Sequence, residues 1–242
     1  MKLKKTKPNR IKIMRYWQFA IILAIVATAL YIYIRNQHIG QNKVFDVASH
    51  MDETVVTVDG VELTMTDMMF YITYEENQVE QKAKVYNPKD TNEYWNLHVN
   101  GKFVRLEAQD YIIEMAVHDE IFYTKAVEEE LELSANDQEY LDAKKSDFWD
   151  DLDDEQYENL ERLSITKEQL NEAMFRATLA QKYQEQLQEE GSSEYDFDDY
   201  NADGYAYEQI LESEHTYSVN EELWDEVSIG NVTYTHGAEY NR

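Results

Sequence analysis

Proline scarcity is the feature that most constrains the fold of this chain. Proline lacks a backbone N–H and its ring clashes with the preceding helical turn, so it ends or kinks helices. The 242 residues contain only two prolines, Pro8 and Pro88. Long segments are therefore free to be helical, and no internal sequence repeat is visible. We predict a mostly α fold.

Apolar residues recur at helical spacing in several of these segments, which indicates helices with one buried face. A capping-box pattern at Thr166 and Gln169 marks one helix start, and Ser134 is expected to cap another helix. The acidic segment 150–163 is expected to be a short, solvated helix. The predicted helices cover residues 65–86, 101–131, 135–149, 150–163, 167–190 and 205–215.

A short hairpin precedes the first of these helices. Residues 58–61 form a Val-Asp-Gly-Val turn, which tolerates the positive φ angles of a type I′ hairpin. Thr64 with Asp67 resembles a capping box and starts the helix, which ends before Pro88. The segment 216–229 brings further apolar residues, and we expect it to return to the hairpin.

The charge distribution divides the chain. All 49 acidic residues follow Lys43, whereas 9 of the 22 basic residues lie at or before it, so the region from Val44 onward carries 13 minus 49, or −36, formal charges. Such a surface repels nucleic acid and anionic lipid headgroups, which excludes both as partners of that region. The chain has no cysteine, which excludes thiolate catalysis, cysteine-type zinc sites and lipid attachment through cysteine.

The N-terminal sequence is typical of a signal anchor. Residues 1–15 contain seven Lys or Arg, and residues 16–34 are apolar or aromatic except for Gln18 and Thr28. At about 1.5 Å per residue, a helix over this stretch is long enough to span the hydrocarbon core of a membrane. We predict a single-pass cell-membrane protein with a cytoplasmic N-terminus, a stalk over residues 35–53 and an extracytoplasmic main domain. The alternative is a cleaved secretory signal peptide.

The first helix of the main domain carries two apolar stripes on roughly opposite sides. One is a normal core face, and the other holds Phe70, Tyr74 and Val85, flanked by Tyr71. Either the helix is sandwiched between other elements, or one stripe faces a groove that accepts varied apolar segments. The second possibility predicts that Phe70, Tyr71 and Tyr74 bind a client polypeptide. The core stripe consists of Met65, Met68, Met69, Ile72, Val79 and Ala83.

The sequence offers few other candidate sites. His118 is expected to be a packed histidine, because no second His or carboxylate accompanies it at a metalloprotease spacing. Asp199, Asn201 and Asp203 match the first half of an EF-hand calcium loop, but Ile210 occupies the position of the bidentate carboxylate, so an acidic turn is the alternative interpretation. No catalytic triad, nucleophile elbow or phosphate loop stands out, and we predict no cofactor.

Four stretches occur in an order and spacing that resemble one protein family. They are "VVTVDGVELTMTDM" for a hairpin and first helix, "EEELELSANDQEYLDA" for a helix end and a capped helix, "LSITKEQLNEAM" for the step into a long helix, and "HTYSVNEELWDEV" for a closing strand and helix. Together they resemble extracytoplasmic chaperones of the SurA/PrsA type over residues 54–227. The resemblance implies a chaperone module over residues 54–229 and a C-terminal tail over 230–242.

The chain departs from that family in two respects. Members of the family usually carry a parvulin prolyl-isomerase domain before the closing strand, and only residues 192–203 occupy that place here. The lipid-attachment cysteine of PrsA-like proteins is also missing. The resemblance therefore implies a chaperone that is not an enzyme. The predicted fold is mostly α, with an N-terminal transmembrane helix and an all-helical SurA-like module that has a short β-hairpin and a closing C-terminal strand.

Three functional hypotheses follow from this interpretation. The first is a membrane-anchored holdase, which binds unfolded or newly exported polypeptides through an apolar groove. The alternative is a scaffold subunit that uses the same module to hold one specific envelope partner; a degenerate parvulin enzyme is a third. A holdase should protect several unrelated clients from aggregation, whereas a scaffold should bind only one partner.

Overall fold

The chain forms a set of helices beside a small sheet, and a computed structural model describes residues 45–99, 101–190 and 195–236. The described residues from Asp46 to His236 belong to one compact unit. The predicted basic segment 1–15 and the predicted transmembrane helix 16–34 lie outside the described residues.

The predicted fold class is wrong. Within the described ranges, no helix is both long and apolar enough to cross a membrane. Two small antiparallel sheets accompany the helices, and one of them consists of the predicted hairpin and closing strand. The structure supports a mostly helical fold in which the sheets contribute only short strands.

Side-chain caps fix where three of the long helices begin. Thr64 with Asp67, and Ser134 with Asp137, form reciprocal capping boxes, and the predicted box at Thr166 is also present. These caps satisfy backbone N–H groups that have no partner within the helix. The helices are α1 (Met65–Tyr86), α2 (Asn92–Trp95), α3 (Val104–Glu128), α4 (Ala135–Asp151), α5 (Asp154–Arg162), α6 (Lys167–Glu190), α7 (Tyr205–Glu214) and α8 (Glu221–Trp224).

The two ends of the module meet in a three-stranded antiparallel sheet. In this sheet Val56 pairs with Leu63 on one side and with Val219 on the other. The predicted return of the C-terminal segment to the hairpin is therefore confirmed. The strands are β1 (Thr54–Val58), β2 (Val61–Thr64) and β5 (Tyr217–Val219), in the order β2-β1-β5; a separate hairpin, which was not predicted, consists of β3 (His98–Val99) and β4 (Lys102–Phe103).

Asp59 ties the hairpin turn to β5. It has a φ of 49° and Gly60 a φ of 88°, as the predicted turn requires. The Asp59 carboxylate accepts a hydrogen bond from the backbone N–H of Thr216 at 2.8 Å, and it lies 2.6 Å from Nδ1 of His215. The residue that makes the turn therefore also fixes the start of the third strand.

The methionine-rich face of α1 lies at the centre of the core. All six predicted core residues of this helix are buried, and none is more than 4% exposed. The helix packs against α3 and α6, which also pack extensively against each other. The core stripe is therefore confirmed, and it removes Met65, Met68 and Met69 from the surface.

Part of the predicted stalk also joins the module. Val47–His50 forms a 3-10 turn, and the chain then passes the start of α1. The carbonyl groups of Met51 and Glu53 accept hydrogen bonds from the N–H groups of Thr66 at 3.0 Å and Met65 at 2.9 Å. These contacts satisfy two of the N–H groups that a helix start leaves without a partner.

A buried carboxylate holds residues 228–236, the C-terminal segment, against α1. Oε1 of Glu76 accepts hydrogen bonds from the N–H groups of Gly230 at 2.6 Å and Val232 at 3.0 Å. Oε2 accepts from the N–H of Thr233 at 2.7 Å and from its hydroxyl group. Burial raises the pKa of Glu76, and the four hydrogen bonds oppose this rise. The predicted tail, 230–242, thus begins inside a packed segment.

Trp95 and Glu80 form a second set of contacts between α1 and the C-terminal segment. The buried indole N–H of Trp95 donates to Oε2 of Glu80 at 2.9 Å, and Nε2 of His236 lies 3.0 Å from the same oxygen. Burial favours the neutral form of Glu80, but the hydrogen bonds from His236 and Trp95 outweigh it and lower the pKa. Gly230 has a φ of 91°, and a Cβ there would stand 2.9 Å from the Trp95 ring, so only glycine is accommodated.

The acidic segment predicted to be solvated has one buried face. In α5, Gln156 and Leu160 are buried. The side-chain amide of Gln156 donates to Oγ1 of Thr233 at 3.2 Å, and that of Asn159 donates to the Thr233 carbonyl at 2.9 Å. The prediction is wrong for this face, because the C-terminal segment supplies partners that the periodicity of α5 does not reveal.

We expect Glu76→Gln to lower the free energy of unfolding by about 2–4 kcal/mol, because the new amide N–H group meets backbone N–H donors that need an acceptor. Denaturant unfolding of the full chain measures this change. Glu155→Gln, at an exposed position of α5, is the matched control and should change stability by less than about 0.5 kcal/mol. Equal stability of the two variants would contradict the anchoring role of Glu76.

Candidate functional site

The three predicted client-binding residues differ in how far they are exposed. Phe70 is half-buried, and its ring centroid lies 5.7 Å from that of Phe148 on α4. Tyr71 is buried, and its hydroxyl donates to Oδ2 of Asp119 at 3.2 Å. Tyr74 is 40% exposed. Their exposures thus differ, although the Phe70 ring lies 5.1 Å from the Tyr71 ring and 6.3 Å from the Tyr74 ring, measured between centroids. Client binding by them stays a prediction.

Tyr71 belongs to a hydrogen-bonded row of partly buried polar side chains. Asp119, which accepts from Tyr71, lies with Oδ1 2.9 Å from Nδ1 of His118. Nε2 of His118 donates to the Tyr200 carbonyl at 2.9 Å, since a carbonyl can only accept. The imidazole also packs against the rings of Phe122 and Tyr207. The prediction that His118 is a packed histidine is confirmed.

A groove of about 450 Å³ lies between the start of α1, α3 and α6. We call it the acidic groove. Its apolar walls come from Leu63, Tyr71, Leu170 and Ala173, and its charged groups are Asp67, Glu120, Glu168, Glu172 and Arg176. Four carboxylates and one guanidinium make the groove negatively charged. Among these residues, only Tyr71 was predicted to bind a client.

At the floor of the acidic groove, Glu120 and Arg176 form an ion pair. Glu120 is buried on α3, and its Oε2 accepts a hydrogen bond from the guanidinium of Arg176 on α6. Burial raises the pKa of Glu120, and the charge of Arg176 opposes this rise. The guanidinium also stacks on the Tyr123 ring, 4.5 Å from its centroid. Arg176 is therefore held by two contacts at the floor of the groove.

The sequence contained a signal for this site. Glu120 interrupts an apolar face of α3 between Val117 and Ile121, and a carboxylate placed among core residues needs a charged partner. Periodicity alone does not say which helix carries that partner. Arg176 could therefore not be assigned to Glu120 before the packing of α3 on α6 was known.

The partial calcium motif forms an acidic turn. The carboxylate of Asp199 accepts a hydrogen bond from the Asp196 N–H at 2.9 Å, and Oδ1 of Asn201 accepts from the Gln184 side chain at 2.8 Å. A Cβ on Gly204 would stand 2.2 Å from the Asp199 carbonyl oxygen, so close backbone packing accounts for this glycine. In the part of the chain that the structure describes, no group of three or more His, Cys, Asp or Glu side chains could hold a metal ion.

A scan of protein-family models and searches of curated proteins and solved structures found no match to this chain. The resemblance to SurA/PrsA-type chaperones therefore stays a prediction, as does the extracytoplasmic location.

Glu75 is a third buried carboxyl group of α1, next to the exposed Tyr74. Burial raises its pKa to about 7, an effect that Lys82 partly opposes and Glu107 reinforces. Its ordinary pKa is 4.5. The folded chain therefore binds this proton more tightly than the unfolded chain, and the resulting stabilisation is complete below pH 4.5 and is lost as the pH rises through about 7.

We expect Glu75→Gln to remove this pH dependence, because the amide stays neutral. The original chain should lose about 2 kcal/mol of its free energy of unfolding between about pH 5 and pH 8 through Glu75. The difference in free energy of unfolding, variant minus original chain, should therefore rise by the same amount. Denaturant unfolding at both pH values measures the change, with Glu155→Gln as a control whose difference should not vary with pH. A constant difference for Glu75→Gln would show that Glu75 is ionised in the folded chain at both pH values.

Proposed function

We propose that this module binds a segment of another polypeptide in the acidic groove and serves as an interaction subunit for one dedicated partner. The observation that carries the proposal is the composition of the walls, in which leucine, alanine and tyrosine side chains adjoin four carboxylates in about 450 Å³. A cleft of this size can take a few side chains of a bound segment.

The chemistry of the walls defines the segment that would bind. Leu170 and Ala173 cover an apolar side chain, while Glu168 and Glu172, which are exposed at the rim, attract a lysine or an arginine. Glu120 at the floor already has a guanidinium partner in Arg176. The best occupant is therefore a segment that alternates apolar and basic side chains.

The same walls favour a dedicated partner over many clients. A holdase needs an adaptable apolar surface, and the methionines that would supply it on α1 are all in the core. Charged walls instead restrict which segments can bind. The holdase remains the second candidate, because the exposed ring of Tyr74 adjoins the half-buried ring of Phe70 and gives a small aromatic surface.

We expect Ala173→Gln to weaken binding of a short synthetic peptide of alternating leucine and lysine by about tenfold or more, because the longer side chain fills the groove. Titration calorimetry with the full chain measures the affinity. Ala143→Gln, the same change at an exposed position of α4, is the matched control and should leave the affinity unchanged. A peptide of alternating leucine and glutamate should not bind. Equal affinities of the two variants would exclude this groove as the binding site.

We expect the full chain to leave the aggregation of two unrelated unfolded proteins unchanged, because charged walls select against generic apolar segments. Light scattering during dilution of each protein from denaturant measures this. Protection of both proteins would favour the holdase instead. In that case the double change Phe70→Ser and Tyr74→Ser should abolish protection without lowering the melting temperature, and a large drop in melting temperature would assign these rings to the core.

A further inference from the structure

A second surface, separate from the acidic groove, is centred on Trp149 of α4. Two shallow grooves, of about 330 and 420 Å³, share only Trp149 and Lys167 among their lining residues. The indole is half-buried, so part of the ring faces solvent. Tryptophan is the residue type most enriched among the residues that dominate binding energy at interfaces.

The ring of Trp149 is held in place by its neighbours. Its indole N–H donates to Oδ1 of Asn171 at 2.9 Å. The Tyr157 ring stacks on it with centroids 5.9 Å apart and an interplanar angle of 27°, and the Tyr157 hydroxyl donates to the Trp149 carbonyl at 2.6 Å. An aromatic ring that is fixed before binding loses little conformational entropy when a partner contacts it.

A lysine side chain of the same protein lies over the Trp149 ring. The ammonium group of Lys167 lies 4.7 Å from the centroid of the Trp149 ring, which is a cation–π geometry. Lys167 is exposed, and across residues 45–99, 101–190 and 195–236 it forms no salt bridge, although the surface around it is acidic. The carboxylates that line the two grooves are Asp142, Asp150, Glu158 and Glu161, against the two lysines Lys145 and Lys167.

We propose that Trp149 is a docking site for an arginine or lysine side chain of a partner polypeptide, and that Lys167 occupies this site in the free protein. The negative charge of the surrounding carboxylates favours a basic partner over a neutral or acidic one. A planar guanidinium stacks on the indole better than the flexible ammonium group that it would displace. The inference does not depend on the acidic groove, whose lining residues are different.

Removing the resident cation should strengthen binding of an external one. The probe is tri-arginine amide, which has no apolar side chain for the acidic groove, and the protein is the full chain. Lys167→Met keeps the apolar length of the side chain without its charge, and we expect it to bind the probe about twofold to fivefold more tightly. Trp149→Leu should lose most of the affinity, and Trp149→Phe should restore part of it.

Lys145→Met is the matched control, because it removes the same charge from the same surface without uncovering the ring. It should tighten binding less than Lys167→Met does, and equal effects would mean that net charge alone governs binding and would overturn the proposal. Tri-citrulline amide, which has the same shape without the charge, should not bind; binding as tight as that of the arginine peptide would also overturn it. Melting temperatures verify that each variant is folded.

Two further outcomes separate this site from the acidic groove. Ala173→Gln should leave tri-arginine binding unchanged. If it abolishes that binding while Trp149→Leu does not, the probe binds in the acidic groove, and the Trp149 proposal fails while the proposed function stands. The indole N–H resonance of Trp149, identified by its absence from the Trp149→Leu spectrum, should shift on addition of the probe, and an unshifted resonance would contradict docking on this ring.

Discussion

The carboxylate of Glu76 is the interaction on which much of the fold depends. It lies in the core and accepts hydrogen bonds from three backbone N–H groups and one hydroxyl group of a segment without regular secondary structure. Buried N–H groups without acceptors lower the stability of a fold. The Glu76 side chain supplies these acceptors for the C-terminal segment, as a neighbouring strand supplies them within a sheet. The buried face of α5 and the close approach of Gly230 to Trp95 both rely on that segment being in place.

The long helices could be predicted from the sequence because the signals for them are local. Apolar spacing identified the buried face of α1, and the hydroxyl side chains of Thr64, Ser134 and Thr166 identified helix starts. The C-terminal segment could not be predicted in this way. Its hydrogen bonds go to a side chain about 155 positions earlier, and neither periodicity nor turn chemistry records such a partner.

The candidate site shows a similar division. The sequence showed two apolar stripes on α1. Helical periodicity tells which side chains share a face of the helix, but not which other elements pack against that face. Tyr71 and Tyr74 are three positions apart, yet Asp119 of α3 covers one and solvent meets the other. The acidic groove was missed because its charged groups come from α1, α3 and α6 together. Only the packing of these helices places Arg176 beside Glu120.

The central position of β1 has a consequence for how the chain is made. Asp59 and Thr216, which join the hairpin to β5, are 157 positions apart. Closing so long a loop is entropically costly, and contacts of this separation slow folding. During synthesis from the N-terminus, the first hairpin and Glu76 therefore lack their partners, β5 and the C-terminal segment, until nearly the whole module has been made. An incomplete chain exposes an open strand edge and a carboxylate without its donors, which makes the nascent form more prone to aggregation than the finished one.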